Sequence, residues 1–312
     1  MSKAGKVTIR QATDSDADAV AALIYTSTNH WYETHGKPPI FQGPVESTRL
    51  FYDVYEALDP GCCLLAVAEE DGHLLGSCFY RERETHVSLG IMNAHPESAG
   101  RGVARQLLAR IVSIAEAAAK PLRLVSSAVN LDSFSLYSKA GFAPYAVYQD
   151  MIWTVPEEGV PVEAPAGTRL RDATIEDVPA IVALEEAVQG VRRGDDWAHF
   201  IRNDSGWWHV SVLESDAGEL LGVLGSIFHP ASTMVGPGVM QSDEGAVALI
   251  RRELNFRKGK TMVWLVPSDR TQIVSAMYAM GARNCELHLG QVRGDAPEIR
   301  GVVMPTFMPE TA

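Results

Sequence analysis

Long hydrophobic runs are missing from the sequence. No stretch of about 18 or more apolar residues occurs along its 312 positions, which excludes a membrane-spanning helix. The opening MSKAGKVTIR has no apolar segment, so a cleaved secretion signal is not expected. Cysteine is scarce. Cys62, Cys63, Cys78 and Cys285 form no C-x-x-C pair, and neighbours on a strand point to opposite faces. A disulfide framework and a zinc site are therefore excluded, and four reduced thiols in a cytoplasmic protein are expected. Basic charge is also short: 27 Lys+Arg stand against 39 Asp+Glu, a net charge of −12. No basic tail or arm interrupts that balance, so neither nucleic acid nor an anionic membrane surface is an expected partner. What is present is ordinary globular material, 46% hydrophobic and 21% charged, in a length that suits two domains.

The division falls at Val155–Thr168, where prolines and glycines punctuate the chain and no hydrophobic period crosses. Beyond this segment the chain resembles its own beginning. Ile9-Arg10-Gln11-Ala12-Thr13-Asp14-Ser15-Asp16 is answered by Leu170-Arg171-Asp172-Ala173-Thr174-Ile175-Glu176-Asp177. Each reads as a strand, an Asp/Thr-rich cap and an amphipathic helix. Leu74-Leu75-Gly76 matches Leu220-Leu221-Gly222, and Ala140-Gly141 matches Met280-Gly281, in the same order. Three ordered matches predict a tandem of two similar domains, residues 1–155 and 168–312, joined by a linker at 156–167.

In the first copy, a strand at 7–11 precedes helices at 16–28 and 46–57, then strands near 63–69, 74–82 and 86–94. A loop with two glycines then opens a helix marked by Val103, Leu107, Leu108, Ile111 and Ala115 at helical spacing. A strand at 122–129 and a helix at 132–139, closed by Gly141, complete the series.

That loop, Ala94-His95-Pro96-Glu97-Ser98-Ala99-Gly100-Arg101-Gly102-Val103-Ala104-Arg105, is the most chemical segment. A helix leaves about four N–H groups of its first turn without intrahelical acceptors, at the positive end of its dipole. Glycines at 100 and 102 and the small Ala104 would let a diphosphate approach the backbone, with Arg101 and Arg105 at the rim. The G-x-x-x-x-G-K-[ST] pattern is missing, which argues against a nucleoside-triphosphate hydrolase, and G-x-G-x-x-G is missing, which argues against NAD or FAD. Taken alone, the loop fits either a diphosphate cradle or a mere tight turn.

Downstream stand Asn130, Ser133, Tyr137, Gly141 and Phe142. With Ala94-His95-Pro96 and Ala99-Gly100-Arg101-Gly102-Val103-Ala104, they resemble the GNAT superfamily of acetyl-CoA-dependent N-acetyltransferases, whose pattern is V-x-P, [QR]-x-x-G-x-[GA] and N-x-x-[AS]-x-x-x-Y-x-x-x-G-F. The motifs cover about residues 86–145, and the element order extends the likeness to 1–155. The family's Gln or Arg at the head of the loop is Ala99 here, which points to a reshaped diphosphate site. The fold implied is α/β: two GNAT-like domains, each a mixed, mostly antiparallel twisted sheet flanked by helices. Acetyl-CoA is the implied cosubstrate, with no metal. Its pantetheine amides would pair with backbone at Met92, Asn93 and Ala94, and its diphosphate with N–H groups of Gly100, Arg101, Gly102, Val103, Ala104 and Arg105. Asn130, with Ser133 after it, would touch the pantetheine arm or fix the strand end. Tyr137 would protonate the departing thiolate; otherwise it is a packing aromatic.

The base is less legible. A family glutamate sometimes stands near Ser88; His86 reads as an exposed structural histidine, and Glu84 is poorer still. Trp31, Tyr32, Glu33 and His35 either wall an acceptor pocket or pack on the surface between the first two helices. In the second copy Asp243 and Glu244 replace the loop glycines, Arg270 takes the asparagine's place and Met277 the tyrosine's. That copy is expected to serve structurally, closing the acceptor cleft or mediating homodimerisation. Trp207, Trp208 and His209 could line an independent site in this half, although core or interface tryptophans are the plainer reading. The function expected is acetyl transfer to a primary amine, of a small molecule or a protein N-terminus, by direct attack. The alternative is a non-catalytic acyl-CoA sensor on the same fold.

Overall fold

The structure, a computed structural model, describes residues 6–307. Its first half holds β1 (Val7–Gln11), α1 (Ala17–Thr34), α2 (Arg49–Leu58), β2 (Cys63–Ala68), β3 (Leu74–Glu82), β4 (Val87–Ala94), α3 (Val103–Ala117), β5 (Leu122–Ser127), α4 (Leu131–Lys139) and β6 (Ala143–Thr154). Residues 155–167 carry neither helix nor strand. The series then repeats: β7 (Thr168–Asp172), α5 (Val178–Gln189), α6 (Gly194–Arg202), β8 (Trp208–Ser215), β9 (Leu220–His229), β10 (Ser232–Met240), α7 (Asp243–Asn255), β11 (Thr261–Pro267), α8 (Thr271–Met280), β12 (Arg283–Arg293) and the short β13 (Val302–Met304).

The matched sequence segments are matched for physical reasons. Arg10 grips Asp16 through two bonds of 2.8 and 2.7 Å, and Arg171 grips Asp177 through two of 2.7 and 2.8 Å. Each aspartate also closes a capping box with Thr13 or Thr174. Gly76 and Gly222 seat a helix on the sheet. A Cβ at Gly76 would come within 2.6 Å of Val103 Cγ1 and 2.9 Å of the Asn93 carbonyl, and one at Gly222 within 2.8 Å of Leu249 Cδ1. Gly141 and Gly281 end α4 and α8 at φ +88° and +100°, where a Cβ is strained.

The arginine partners and backbone N–H bonds hold the Asp16 and Asp177 carboxyls below the usual carboxylate range. A folded pKa depressed below the unfolded value of about 3.9 adds stability that is present above that pH and lost as pH falls through the folded value. The paired variant Asp16→Asn, Asp177→Asn is expected to flatten the fall of Tm below about pH 4, as read by calorimetry across pH.

By packing, the chain forms two compact units, and these do not divide at the linker. One takes the described residues up to Glu82, His86–Leu122 and Phe307; the other takes Arg83–Thr85 and Arg123–Thr306. In the first, β1-β2-β3-β4 form an antiparallel sheet. The apolar stripe of α3, including Leu107, Leu108 and Ile111, is buried. Each such side chain contributes roughly 1.5–3 kcal/mol. In the second, the strand order is β5-β12-β6-β11-β10-β9-β8-β7, with β13 beside β10. There β6 lies between two strands from beyond the linker, pairing Thr154↔Thr261 on one side and Ile152↔Arg283 on the other, both antiparallel. The boundary expected at 155 is therefore not where the packing separates. The ladders of β6 tie residues 143–154 to the second unit, whose core holds Met151 beside Met262 and Trp264. Among the described residues no helix is long and apolar enough to cross a membrane.

Candidate active site

The end of β4 belongs to the first unit. Its pairing with β3 passes from Leu89↔Tyr80 to Met92↔Cys78, one residue longer on β4, which is a bulge. Beyond it, Asn93 and Ala94 pair with Ser77 and Gly76. The Asn93 amide donates to Ser27 Oγ (2.7 Å) and Thr28 Oγ1 (3.3 Å) of α1, which fixes the strand end.

The glycine loop comes next. Ser98 Oγ donates to the Leu75 and His95 carbonyls at 3.1 and 2.7 Å, and the Arg101 N–H donates to the Ser98 carbonyl at 3.1 Å. Gly100 and Gly102 then take φ +77° and +72°, a region costing an L-residue roughly 1–2 kcal/mol. Glycine is needed there for the sign of φ, not for room within the protein. A Cβ at Gly100 meets nothing within 4 Å, and one at Gly102 meets only the Arg105 guanidinium, at 3.7 Å. Gly102 is the N-cap of α3 and no side chain caps the helix; the first helical bond runs from the Gln106 N–H to the Gly102 carbonyl at 3.1 Å. The N–H groups of Val103, Ala104 and Arg105 thus have no acceptor within the helix. Arg101 is half-buried and Arg105 exposed.

The corresponding helix of the second repeat is closed. Ser242 Oγ accepts from the Gly245 N–H at 3.1 Å at the N-terminus of α7. Asp243 lies 3.6 Å from Arg270, and Glu244 accepts from Gln272 at 2.8 Å. Arg270 is the N-cap of α8 at φ −86°, ψ 70°, as Asn130 is of α4 at φ −86°, ψ 82°. A hydroxyl thus takes one first-turn N–H, and two carboxylates put negative charge at the helix start, where they would repel a ligand anion.

Asn130, Ser133 and Tyr137 belong to the second unit. Asn130 Oδ1 accepts from the Ser133 N–H at 3.0 Å, so that oxygen is spent as the cap of α4. Asn130→Ala is expected to lower stability by about 1 kcal/mol in a denaturant titration, Asn130→Asp much less. Tyr137 is 6% exposed and its ring packs against Phe142, centroids 5.7 Å apart.

Other expectations need correction. His86 is buried, 2% exposed, because it lies where the chain turns into β4. Ser88 is buried, and Glu84 is paired with Arg192 at 2.9 Å. Trp31, Tyr32 and Glu33 are not in an interhelical loop. With no glycine between Ala17 and Gly36, α1 runs on to Thr34 and His35 caps it, stacked on Trp31 at 4.2 Å. Trp208 is a core side chain stacked on Phe200 at 4.2 Å, and His209 is held by Glu253 at 2.9 Å. No disulfide joins the four cysteines, and no His/Cys/Asp/Glu group able to hold a metal occurs among the described residues. A cleft of about 450 Å³ in the first unit is lined by Arg10, Leu23, Thr26, His73 and His95 among others, and by none of residues 99–105.

Gly76 is legible in the sequence as a repeated residue, but its reason, seating Val103 against β3, is not. Arg270 is legible as a substitution, but its reach to Asp243 is not.

Residues 28–142 match the sequence model of the acetyltransferase (GNAT) family, a span that takes in both the glycine loop and Tyr137. No curated protein matches the sequence. Among solved structures, a protein of Pyrococcus horikoshii assigned as an acetyltransferase superposes with a TM-score of 0.72 at 16% identity, covering 95% of this chain and 92% of that one. A GCN5-related N-acetyltransferase from Sphaerobacter thermophilus superposes at 0.65 with 18% identity, over 94% and 97% of the two chains. A tandem GNAT protein from the clavulanic acid biosynthesis pathway superposes at 0.61 with 13% identity, over 92% and 98%. Residues 28–142 thus match the acetyltransferase (GNAT) family model, and the chain shares its fold along nearly its whole length with a tandem GNAT protein.

Proposed function

We propose that the protein is an N-acetyltransferase that uses acetyl-CoA and a primary amine, with one working acetyl-CoA site. The observation that carries this reading is the contrast between the two helix N-termini. That of α3 has no side-chain cap and is led in by two left-handed glycines, the first with open space around it; that of α7 is capped by Ser242 and carries Asp243 and Glu244 in its first turn. The N–H groups of Val103, Ala104 and Arg105 would take the diphosphate, with Arg101 and Arg105 adding charge. Backbone at Met92–Ala94 would take the pantetheine amides. The amine nitrogen attacks the thioester carbonyl, the C–S bond breaks, and the Tyr137 hydroxyl gives its proton to the departing thiolate. Direct attack by a neutral amine, with water taking its proton, needs no named base. This accords with His86 and Ser88 being buried and Glu84 being paired.

Release of CoA from acetyl-CoA is measured across a panel of small amines and peptide N-termini. Amine-dependent release supports the reading. Saturable acetyl-CoA binding with no release on any amine identifies a sensor instead.

A further inference from the structure

We propose that the second unit binds a carboxylate through Arg123 and the Tyr145 hydroxyl, on one face of β5, β12 and β6; on the acetyl-transfer reading above, the acceptor amine is one that carries this carboxylate.

Strand β5 alternates. Leu122 and Leu124 are buried on one face, and Arg123 on the other shares its face with Val125 and Ser127. Arg123 is only 6% exposed, yet its Nε and Nη1 have no hydrogen-bond acceptor. A buried cation without a counter-charge is heavily penalised. The carboxylates on the same face are already engaged. Asp150 holds His288 Nδ1 at 2.9 Å, and Glu286 accepts the Ser127 hydroxyl.

Tyr145 is brought to the same face by an irregularity in pairing, and its phenol feels the charge of Arg123. Gly290 pairs with Ala146 and Gln291 with Pro144, so Tyr145 is the extra residue of a bulge in β6. Its ring lies over Gly290, where a Cβ would stand 3.0 Å from Cζ and 3.2 Å from the hydroxyl oxygen. Glycine at 290 therefore makes the room for the phenol. Burial pushes the Tyr145 phenol up to about 12, opposed by the charge of Arg123, so it stays a donor near neutral pH. A planar guanidinium fork with a neutral hydroxyl on the same face matches a carboxylate. One buried cation balances one monoanion; a phosphate dianion would leave a charge uncompensated.

The test is calorimetric titration of the full chain with acetate, glycine and succinate, and separately with inorganic phosphate. Wild type is expected to bind at least one carboxylate with Kd on the order of 1 mM. Arg123→Gln and Arg123→Met are expected to weaken this about tenfold or more, and Tyr145→Phe, which keeps the ring over Gly290, about threefold. Without ligand, Arg123→Met is expected to have a Tm equal to or above wild type, because it removes an unpaired buried charge. No binding of any carboxylate, binding of phosphate alone, or a lowered Tm in Arg123→Met overturns the proposal. For turnover, glycine is compared with methylamine. A kcat/KM ratio favouring glycine that Arg123→Gln abolishes supports the acceptor assignment, and a ratio that Arg123→Gln leaves unchanged overturns it. Carboxylate binding with no acetyl transfer on any amine counts against the transferase reading and leaves the Arg123 site standing.

Discussion

Gly102→Asp is expected to weaken acetyl-CoA binding by about 100-fold, equivalent to ~3 kcal/mol. Two effects act together. Gly102 sits at φ +72°, where an aspartate is strained. An aspartate at this N-cap would also turn its carboxylate onto the N–H groups of the first turn of α3, as Ser242 turns its hydroxyl onto Gly245 in α7. Two or three charge-assisted bonds to a diphosphate would be lost, each worth roughly 1.5–3 kcal/mol, only partly offset by better capping. Asp243→Ala is the matched control at the closed helix. It removes a side chain 3.6 Å from Arg270 and is expected to change acetyl-CoA affinity less than about twofold. Isothermal titration of both variants decides the matter; the opposite ranking would mean that the diphosphate sits in the second repeat.

Tyr137→Phe is expected to lower kcat by about 10²–10⁴, the usual worth of a positioned proton donor, and to leave acetyl-CoA affinity within about twofold. The substitution keeps the ring packed on Phe142 and removes only the hydroxyl, so the fold is expected to survive it. An interaction made only as the thiolate departs lowers kcat and kcat/KM equally while binding is spared. Equal losses in affinity and turnover would instead mark Tyr137 as a packing residue.

These two positions differ in how they can be read. The glycines at 100 and 102 and the helical period through Val103, Leu107 and Ile111 lie within a short window, so their pattern shows directly in the chain. Tyr137 stands seven residues after Asn130 and four before Gly141, a spacing that the cap and the left-handed terminus of α4 explain. The sequence places the end of α1 too early because aromatic residues are weak helix signals and only Gly36 stops the run; stacking of His35 on Trp31 holds the last turn. His86 reads as exposed because a polar residue beside a strand carries no local mark of burial. Arg123 does leave a signal, a charge inside the strand Leu122-Arg123-Leu124-Val125, but its want of a partner is a property of three strands at once.

By itself the sequence determined the tandem repeat, the capping boxes at Thr13 and Thr174, the open loop of one copy and the acidic loop of the other. Each depends on backbone preferences and side-chain bonds that reach no more than a few residues. Only the tertiary structure decided that β6 lies between β11 and β12, and so that the units part at Leu122 and Arg123. It also decided that Arg270 answers Asp243, and that Tyr145 bulges over Gly290. The ladders of β6 join residues more than a hundred positions apart, and no local period encodes which distant strand will complete a ladder.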